Sequence, residues 1–402
     1  MQILVLNCGG SSMKYQLLAM PAERVLAKGS IDRLFSPRAE ISHQVAGREA
    51  AREPLPGATF ADGIRWLVTA LREEGIIAGV TDIEAIAHKL AHGGEKFQQP
   101  VLIDDEVLAT LTSLSSLAPV HLPPAVAGIR VCQELLPGVP QYAVFETNFH
   151  QTVPPYAYIY GLPYEWYEQY GIRKYGFHGT SHRYVAETAA GILGRELREL
   201  KLISCHLGSG TSVAAIKYGR SVDISSGLTP QSGTIMSTRP GDFDPWVFPL
   251  IMELTGMTPA AVNEVMVKKG GLLGISGLSG DMRDLEAAAR EGHQRAQLAI
   301  DVFCYQVKKY IGAFAAAMNG LDALIFTGGI GERSPAIRAG ICRDLDFLGI
   351  ELDEEKNKHR PRLDILSRDS APVAILAIDS NEELMVARQV IDFRHTLCSI
   401  CP

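Results

Sequence analysis

The chain has no long basic run, and its formal net charge is −7 over 402 residues. A broad positive face is the footprint of a nucleic-acid binder, so no nucleic-acid partner is expected. Long apolar runs are missing too. The N-terminal run is Ile3 to Leu6, far short of the roughly 20 residues of a membrane span or of a secretory signal. A membrane partner is therefore not expected. Cysteines number seven, odd and scattered, which points to free thiols in a reducing compartment, and hence a cytoplasmic location, rather than to a disulfide framework. Cys398 and Cys401 form a CxxC without a second pair or a βαβ context, so neither zinc nor redox chemistry is expected of them. No glycine turn has the P-loop spacing GxxxxGK[ST] or the dinucleotide spacing GxGxxG, and neither of those folds is expected.

What is there is a globular composition, 47% hydrophobic and 21% charged. A chain of this length exceeds one ordinary core, so two domains are expected. Strand and helix patterns alternate, giving an α/β or α+β class. The stretch VLNCGGSSMKY (Val5 to Tyr15) runs from a short strand into an Asn, two glycines, two serines and a lysine. Glycines let a ligand approach the backbone, and amides, hydroxyls and an ammonium all donate hydrogen bonds. Alone, such a stretch is most often a plain β-turn. It has a counterpart, however. Ile3 to Ile31 and Leu202 to Ile224 both read as strand, Gly-Ser turn, strand, tight turn, strand. Two such units half a chain apart suggest a duplicated domain with two donor-rich turns suited to phosphate. A third glycine turn, FTGGIGERS, follows the strand Ala323 to Thr327, and Ser334-Pro335 then opens a helix as N-cap and first residue. Strand, glycines and helix N-terminus recur in nucleotide sites.

Polar clusters stand at strand ends and helix starts, where α/β sites are built: HKLAHGGE from His88, FETNFH from Phe145, YGFHGTSH from Tyr175, STRPGD from Ser237 and NEE from Asn381. His178 and His182 have the i, i+4 spacing of a zinc pair, but no third ligand is evident.

Together, and in this order, YGFHGTSH, HGGEKF, TRPGDFDP, GLLGISGLSGDMR and FTGGIGE resemble the acetate kinase family, which includes propionate kinases; the resemblance runs from NCGGSSMK to NEELMVA. It implies a two-lobed, duplicated actin-like (ribonuclease H-like) ATPase fold with an interlobe cleft, in the superfamily of sugar kinases and actin. It implies a homodimer that passes the ATP γ-phosphoryl group to a short carboxylate, with ADP as product and Mg²⁺, or Mn²⁺, as metal. By resemblance the catalytic residues are Arg239, His178, Glu146 and Lys89. The acid pocket is Ala91, Val120, Phe177 and Pro230. Nucleotide contacts fall on Lys14, His206, Gly208, Gly210, Asp281, Arg283, Gly329, Ile330 and Gly331. Asn7 and Glu382 are assigned to the metal, with Ser12 beside Asn7 near the γ-phosphate. The first lobe is expected over 1–150 plus 383–402, on the carboxylate and metal side. The second, over 151–382, should carry the nucleotide and most of the dimer face.

The chain departs from the family at chemically important places. Lys89 stands where Arg is usual, Glu146 where Asp is usual, and Gly10, Ser209, Arg333 and the pair Gln231-Ser232 also differ. Arg333 could pair with a nucleotide phosphate or crowd the base. Ala91 replaces a frequent Val, which leaves room for a longer acyl chain; a methylene is worth only about 1–3 kcal/mol of discrimination. The expected function is a reversible acetate kinase that also uses propionate. The alternatives are a propionate-preferring short-chain acyl kinase and a weakly catalytic, nucleotide-binding homologue.

Overall fold

The computed structural model describes residues 1–359 and 365–400, without the side chains of 398–400. The Cys398–Cys401 motif lies outside the described residues. The chain forms two compact units, one of Met1–Asn148 with the chain from Asn381 onward, the other of Phe149–Ser380.

Unit 1 is built on an eight-stranded open sheet in the order β5-β4-β3-β2-β1-β6-β8-β7. Its strands are β1 Gln2–Cys8, β2 Ser12–Ala19, β3 Arg24–Asp32, β4 Glu40–Val45, β5 Ala51–Pro54, β6 Ala85–Leu90, β7 Val101–Leu102 and β8 Gln141–Phe145. β1 and β2 pair antiparallel, with Asn7 opposite Lys14, while β6 runs parallel to both β1 and β8. The turn between β1 and β2 closes where the Gly9 N–H donates to the Ser12 carbonyl at 2.8 Å. β1 is apolar at successive positions because helices cover it. Leu4 and Leu6 join Ile64, Leu67 and Cys132 of the helices Phe60–Glu73 and Leu122–Leu135 in one core, while Ile3 and Val5 point to the other side. The helix Glu382–Ile400 packs on β1, β2, β6 and β8. Helix Phe60–Glu73 starts at Thr59, whose hydroxyl accepts from the Asp62 N–H while Asp62 accepts from the Thr59 N–H.

Unit 2 carries a five-stranded open sheet, β11-β10-β9-β12-β13: β9 Lys201–Leu207, β10 Thr211–Lys217, β11 Arg220–Ile224, β12 Ala323–Thr327 and β13 Ala374–Ala377. It repeats the unit 1 pattern of an antiparallel hairpin whose first strand pairs in parallel with a later one. Alternation along β9 sorts its side chains. Ile203, Cys205 and Leu207 face the core that includes the helix Gln294–Met318. Leu202 and, on β10, Ala214 and Ile216 face the core under the helix Gly179–Leu193, with Val185, Ala186 and Ala189. Ser204, His206 and Ser212 have the same parity as that second set. The α/β class and the duplicated hairpins expected from the sequence are present.

Two local readings are corrected. The glycine turn in FTGGIGERS is itself helical: Gly328–Arg333 is a short helix, ahead of the expected one that Ser334 caps. Gly328 enters it with φ +74°, and a Cβ there would stand 2.7 Å from the Leu207 carbonyl oxygen. The Glu332 carboxylate fixes the entry by accepting from the Gly328 and Ser380 N–H groups, each at 3.1 Å. His88 and Lys89 do not follow their strand but lie inside β6. β6 lies between β1 and β8; its pairing with β1 ends at His88, and pairing with β8 carries it on to Leu90, opposite Phe145. His88 is buried and bonds the Gln141 amide oxygen at 2.7 Å.

Candidate active site

The β9–β10 hairpin and the N-terminus of helix Gly179–Leu193 assemble a chain of histidines and serines in unit 2. His178, in the left-handed conformation at φ 58°, precedes the helix. Its Nδ1 lies 2.8 Å from the Ser212 hydroxyl, which lies 2.8 Å from Nε2 of His182. His182 Nδ1 reaches the Ser204 hydroxyl at 2.9 Å. His206 stacks on His178 with ring centroids 4.3 Å apart, and its Nδ1 is 2.8 Å from the Ser181 hydroxyl. Burial, and behind it His150, His206 and His178, hold His182 well below the ordinary imidazole range, so it is neutral. Its two ring nitrogens are both engaged by serines, one as donor and one as acceptor. The i, i+4 spacing of His178 and His182 thus serves a shared serine.

His150 positions the backbone before His178. Its Nε2 faces the Phe177 carbonyl at 3.0 Å and must donate there, so Nδ1 accepts from the Ser221 hydroxyl at 2.8 Å. Burial pushes His150 down to about 4, which keeps it in that neutral form. The Phe177 N–H in turn donates to the Ser226 hydroxyl at 3.0 Å.

Arg239 comes from the Gly/Pro-rich loop. That loop is tied to the hairpin by the Ser237 N–H, which donates to the Ser209 carbonyl at 3.2 Å. Asp242 braces it by accepting from the Gly233 N–H at 2.8 Å and from the Tyr310 hydroxyl. One guanidinium nitrogen of Arg239 donates to the Pro230 carbonyl. The other, Nη2, would be 3.0 Å from a Cβ on Gly210, and His178 Nε2 would be 3.3 Å from the same point. Arg239 and His178 therefore converge over the glycine of the second hairpin. Burial lowers the Arg239 pKa, but a guanidinium stays charged. A cation, an imidazole and a bare backbone turn at one point suit an anionic oxygen.

Beside this point lies a cavity of about 430 Å³ whose walls include Gly208, Ser209, Asp281, Arg283, Gly329 and Ile330. Five predicted nucleotide residues are thus gathered in one place, with Arg333 and Ser209, two of the departures, in the same wall. Asp281 caps the helix Met282–Arg290, and hydrogen bonds from Arg283 hold its carboxyl below the ordinary range. Gly331 is buried behind the wall against Phe326, and His206 and Gly210 belong to the histidine cluster. A larger cavity in unit 2, about 810 Å³, is lined by Arg290, Tyr305, Lys308 and Arg343 among others. It contains none of the residues predicted from the sequence and no glycine hairpin.

In unit 1, Lys89 is the centre of a second cluster. Its ammonium lies 2.6 Å from Glu146 Oε1 and bonds Glu382 Oε2. Burial alone would lower the Lys89 pKa; Glu146 and Glu382 more than offset it, so the ammonium is raised and charged. Two carboxylates meeting at one cation are the donor set that a hard divalent ion accepts, with water and phosphate oxygens completing its shell. Among the described residues no group of three or more His, Cys, Asp and Glu converges in this way. Asn7 lies near the end of β1 opposite Lys14, and Lys14 lines a separate, shallow cavity with Glu383. Ala91 is half-buried beside His92, which burial pushes down to about 4. Val120 is exposed, its carbonyl 3.8 Å from where a Gly10 Cβ would be. Asn148 carries a buried amide whose two polar atoms find no hydrogen-bond partner among the described residues. Nothing in the sequence distinguishes it from an ordinary loop residue.

The model of the Acetokinase family matches residues 2–388. An acetate kinase of Carboxydothermus hydrogenoformans is 51% identical over 394 residues, covering 98% of this chain and 99% of its own. One from Heliobacterium modesticaldum is 49% identical over 390 residues, covering 96% and 98%. Among solved structures, Porphyromonas gingivalis acetate kinase superposes with a TM-score of 0.92 at 40% identity, covering 97% of this chain and 99% of its own. A propionate kinase from Francisella tularensis gives 0.91 at 38% identity, covering 96% and 98%. With the family model spanning nearly the whole chain and about half of the residues shared with the first two of these relatives, the chain belongs to the Acetokinase family.

Proposed function

We propose that the chain transfers the γ-phosphoryl group of ATP to the carboxylate of acetate, reversibly, yielding acetyl phosphate and ADP. The convergence of Arg239 and His178 over Gly210 is the observation that carries this reading. A carboxylate is already ionised at neutral pH and needs no general base. What the reaction requires is positioning, and positive charge and donors on the phosphoryl oxygens. Arg239 and the His178 imidazole supply these, and the Ser212–His182–Ser204 chain holds the imidazole in place. The cavity between the glycine turns supports a nucleotide: Gly208 and Gly329 present bare backbone and Asp281 and Arg283 a polar rim.

Asn7 and Glu382 are assigned to Mg²⁺, with Glu146 beside Glu382 at the Lys89 ammonium; when bound, the ion would neutralise phosphate charge. Ala91 favours a second reading, in which propionate is used as well as or better than acetate. The similarity to a propionate kinase is consistent with it. No helix of the described residues is long and apolar enough to cross a membrane. Five buried free thiols among the described residues support a reducing, cytoplasmic setting. Exposed Trp246, Leu250 and Leu254 support a homodimer through unit 2.

The test is a hydroxylamine trap for acyl phosphate, with Mg-ATP and acetate, propionate or butyrate. Hydroxamate is expected with acetate and propionate, and Arg239→Ala should lower its rate roughly a thousandfold. No hydroxamate from any acid, in folded protein, would overturn the proposal.

A further inference from the structure

Lys89 faces two acids at once. Its side chain is 9% exposed, and those of Glu146 and Glu382 are 14% and 17% exposed. A largely buried carboxylate needs cationic or hydrogen-bonding partners, and a divalent ion approaching this pair would compete with the ammonium for them. Both carboxylates meet at Nζ. The place where a divalent cation would gain both of them is thus the place where the ammonium sits. A lysine suits such an exchange: its head is a compact point charge on a flexible stem, whereas a guanidinium fork would lock onto a carboxylate at two points.

We propose that Lys89 is a displaceable internal counter-ion. It holds Glu146 and Glu382 while no divalent cation is bound and gives up the position when Mg²⁺ arrives, which frees its ammonium to meet an anion. The inference rests on the reading of Glu382 as a metal-side carboxylate. It adds that metal affinity is set by competition with an amine of the chain itself. Lys89 acts here as a positioning residue for the two acids.

Manganese binding to the full-length protein, without nucleotide and read from the free-ion signal in electron paramagnetic resonance, separates the two claims. Lys89→Met should bind Mn²⁺ at least about tenfold tighter than the wild type, and Glu382→Gln at least about tenfold weaker. Unchanged affinity in Lys89→Met with weaker binding in Glu382→Gln overturns the counter-ion and leaves the metal reading standing. Unchanged affinity in Glu382→Gln overturns both. If Lys89→Met does not fold, the wild type still decides. The ¹⁵Nζ–¹H signal of a lysine-labelled sample, assigned to Lys89 by its loss in Lys89→Arg, should move or vanish on saturation with Mg²⁺. A signal unmoved by Mg²⁺ overturns the proposal.

Discussion

Gly210 shows how much one hydrogen atom can decide. Its backbone is not left-handed, so alanine carries no torsional penalty there; the conflict is one of space. A methyl group would press on Arg239 Nη2 at 3.0 Å, tighter than ordinary contact, and on His178 Nε2 at 3.3 Å. Gly210→Ala is therefore expected to melt within a few degrees of the wild type. It should lose roughly ten- to a hundredfold in kcat/KM for hydroxamate formation, since displacements near 1 Å cost that much. Full activity would show that the two side chains do not share a task. Arg239 and His178 were legible in the sequence because short motifs surround them. The serine between His178 and His182 was not. Ser212 is 30 residues from His182, and only the parity of β10 turns it toward the helix. Asn148 was illegible for a different reason, since its peculiarity is the lack of a hydrogen-bond partner among the described residues, which no sequence pattern records.

The hairpins were the most legible elements, because alternating apolar strands and Gly-Ser turns determine one another locally. Less legible was the extent of β6. The cluster HKLAHGGE reads as a strand end, yet Lys89 lies within β6, and its partner Glu382 is 293 residues away. Contacts of that span depend on topology, not on neighbours. The helix Val247–Thr255, with Trp246 just before it, offers a different lesson. Trp246, Leu250 and Leu254 recur every fourth residue on one face and are 71%, 42% and 72% exposed. A stripe of this kind is costly in water, and it is the face assigned above to the proposed homodimer. Sedimentation of the wild type should give twice the chain mass, and Leu254→Glu should shift it toward the single-chain mass at micromolar concentration. An unaltered dimer in Leu254→Glu would place the pairing face elsewhere.

Across the whole molecule, histidines set the response to acid. Burial pushes His88 and His92 in unit 1 and His150 in unit 2 from 6.5 down to about 4. Above pH 6.5 these groups are neutral whether the chain is folded or not, and they carry no penalty. As pH falls from 6.5 toward 4, the unfolded chain takes up protons that the folded chain refuses, so stability is lost, by about 2 kcal/mol per histidine at pH 5. The melting temperature should fall steadily over that window in both units and level off below it as far as these groups are concerned. A melting temperature flat from pH 7 to 5 would contradict their burial as neutral rings. Chain order adds a last consequence. Unit 2 is continuous, whereas unit 1 needs the helix Glu382–Ile400, which leaves the ribosome roughly 230 residues after Asn148. At about 5–20 residues per second that is a wait on the order of ten to fifty seconds. During synthesis the first sheet must persist without this helix, and Lys89 has Glu146 but not yet Glu382, so the three-residue cluster is completed only when the chain returns to unit 1.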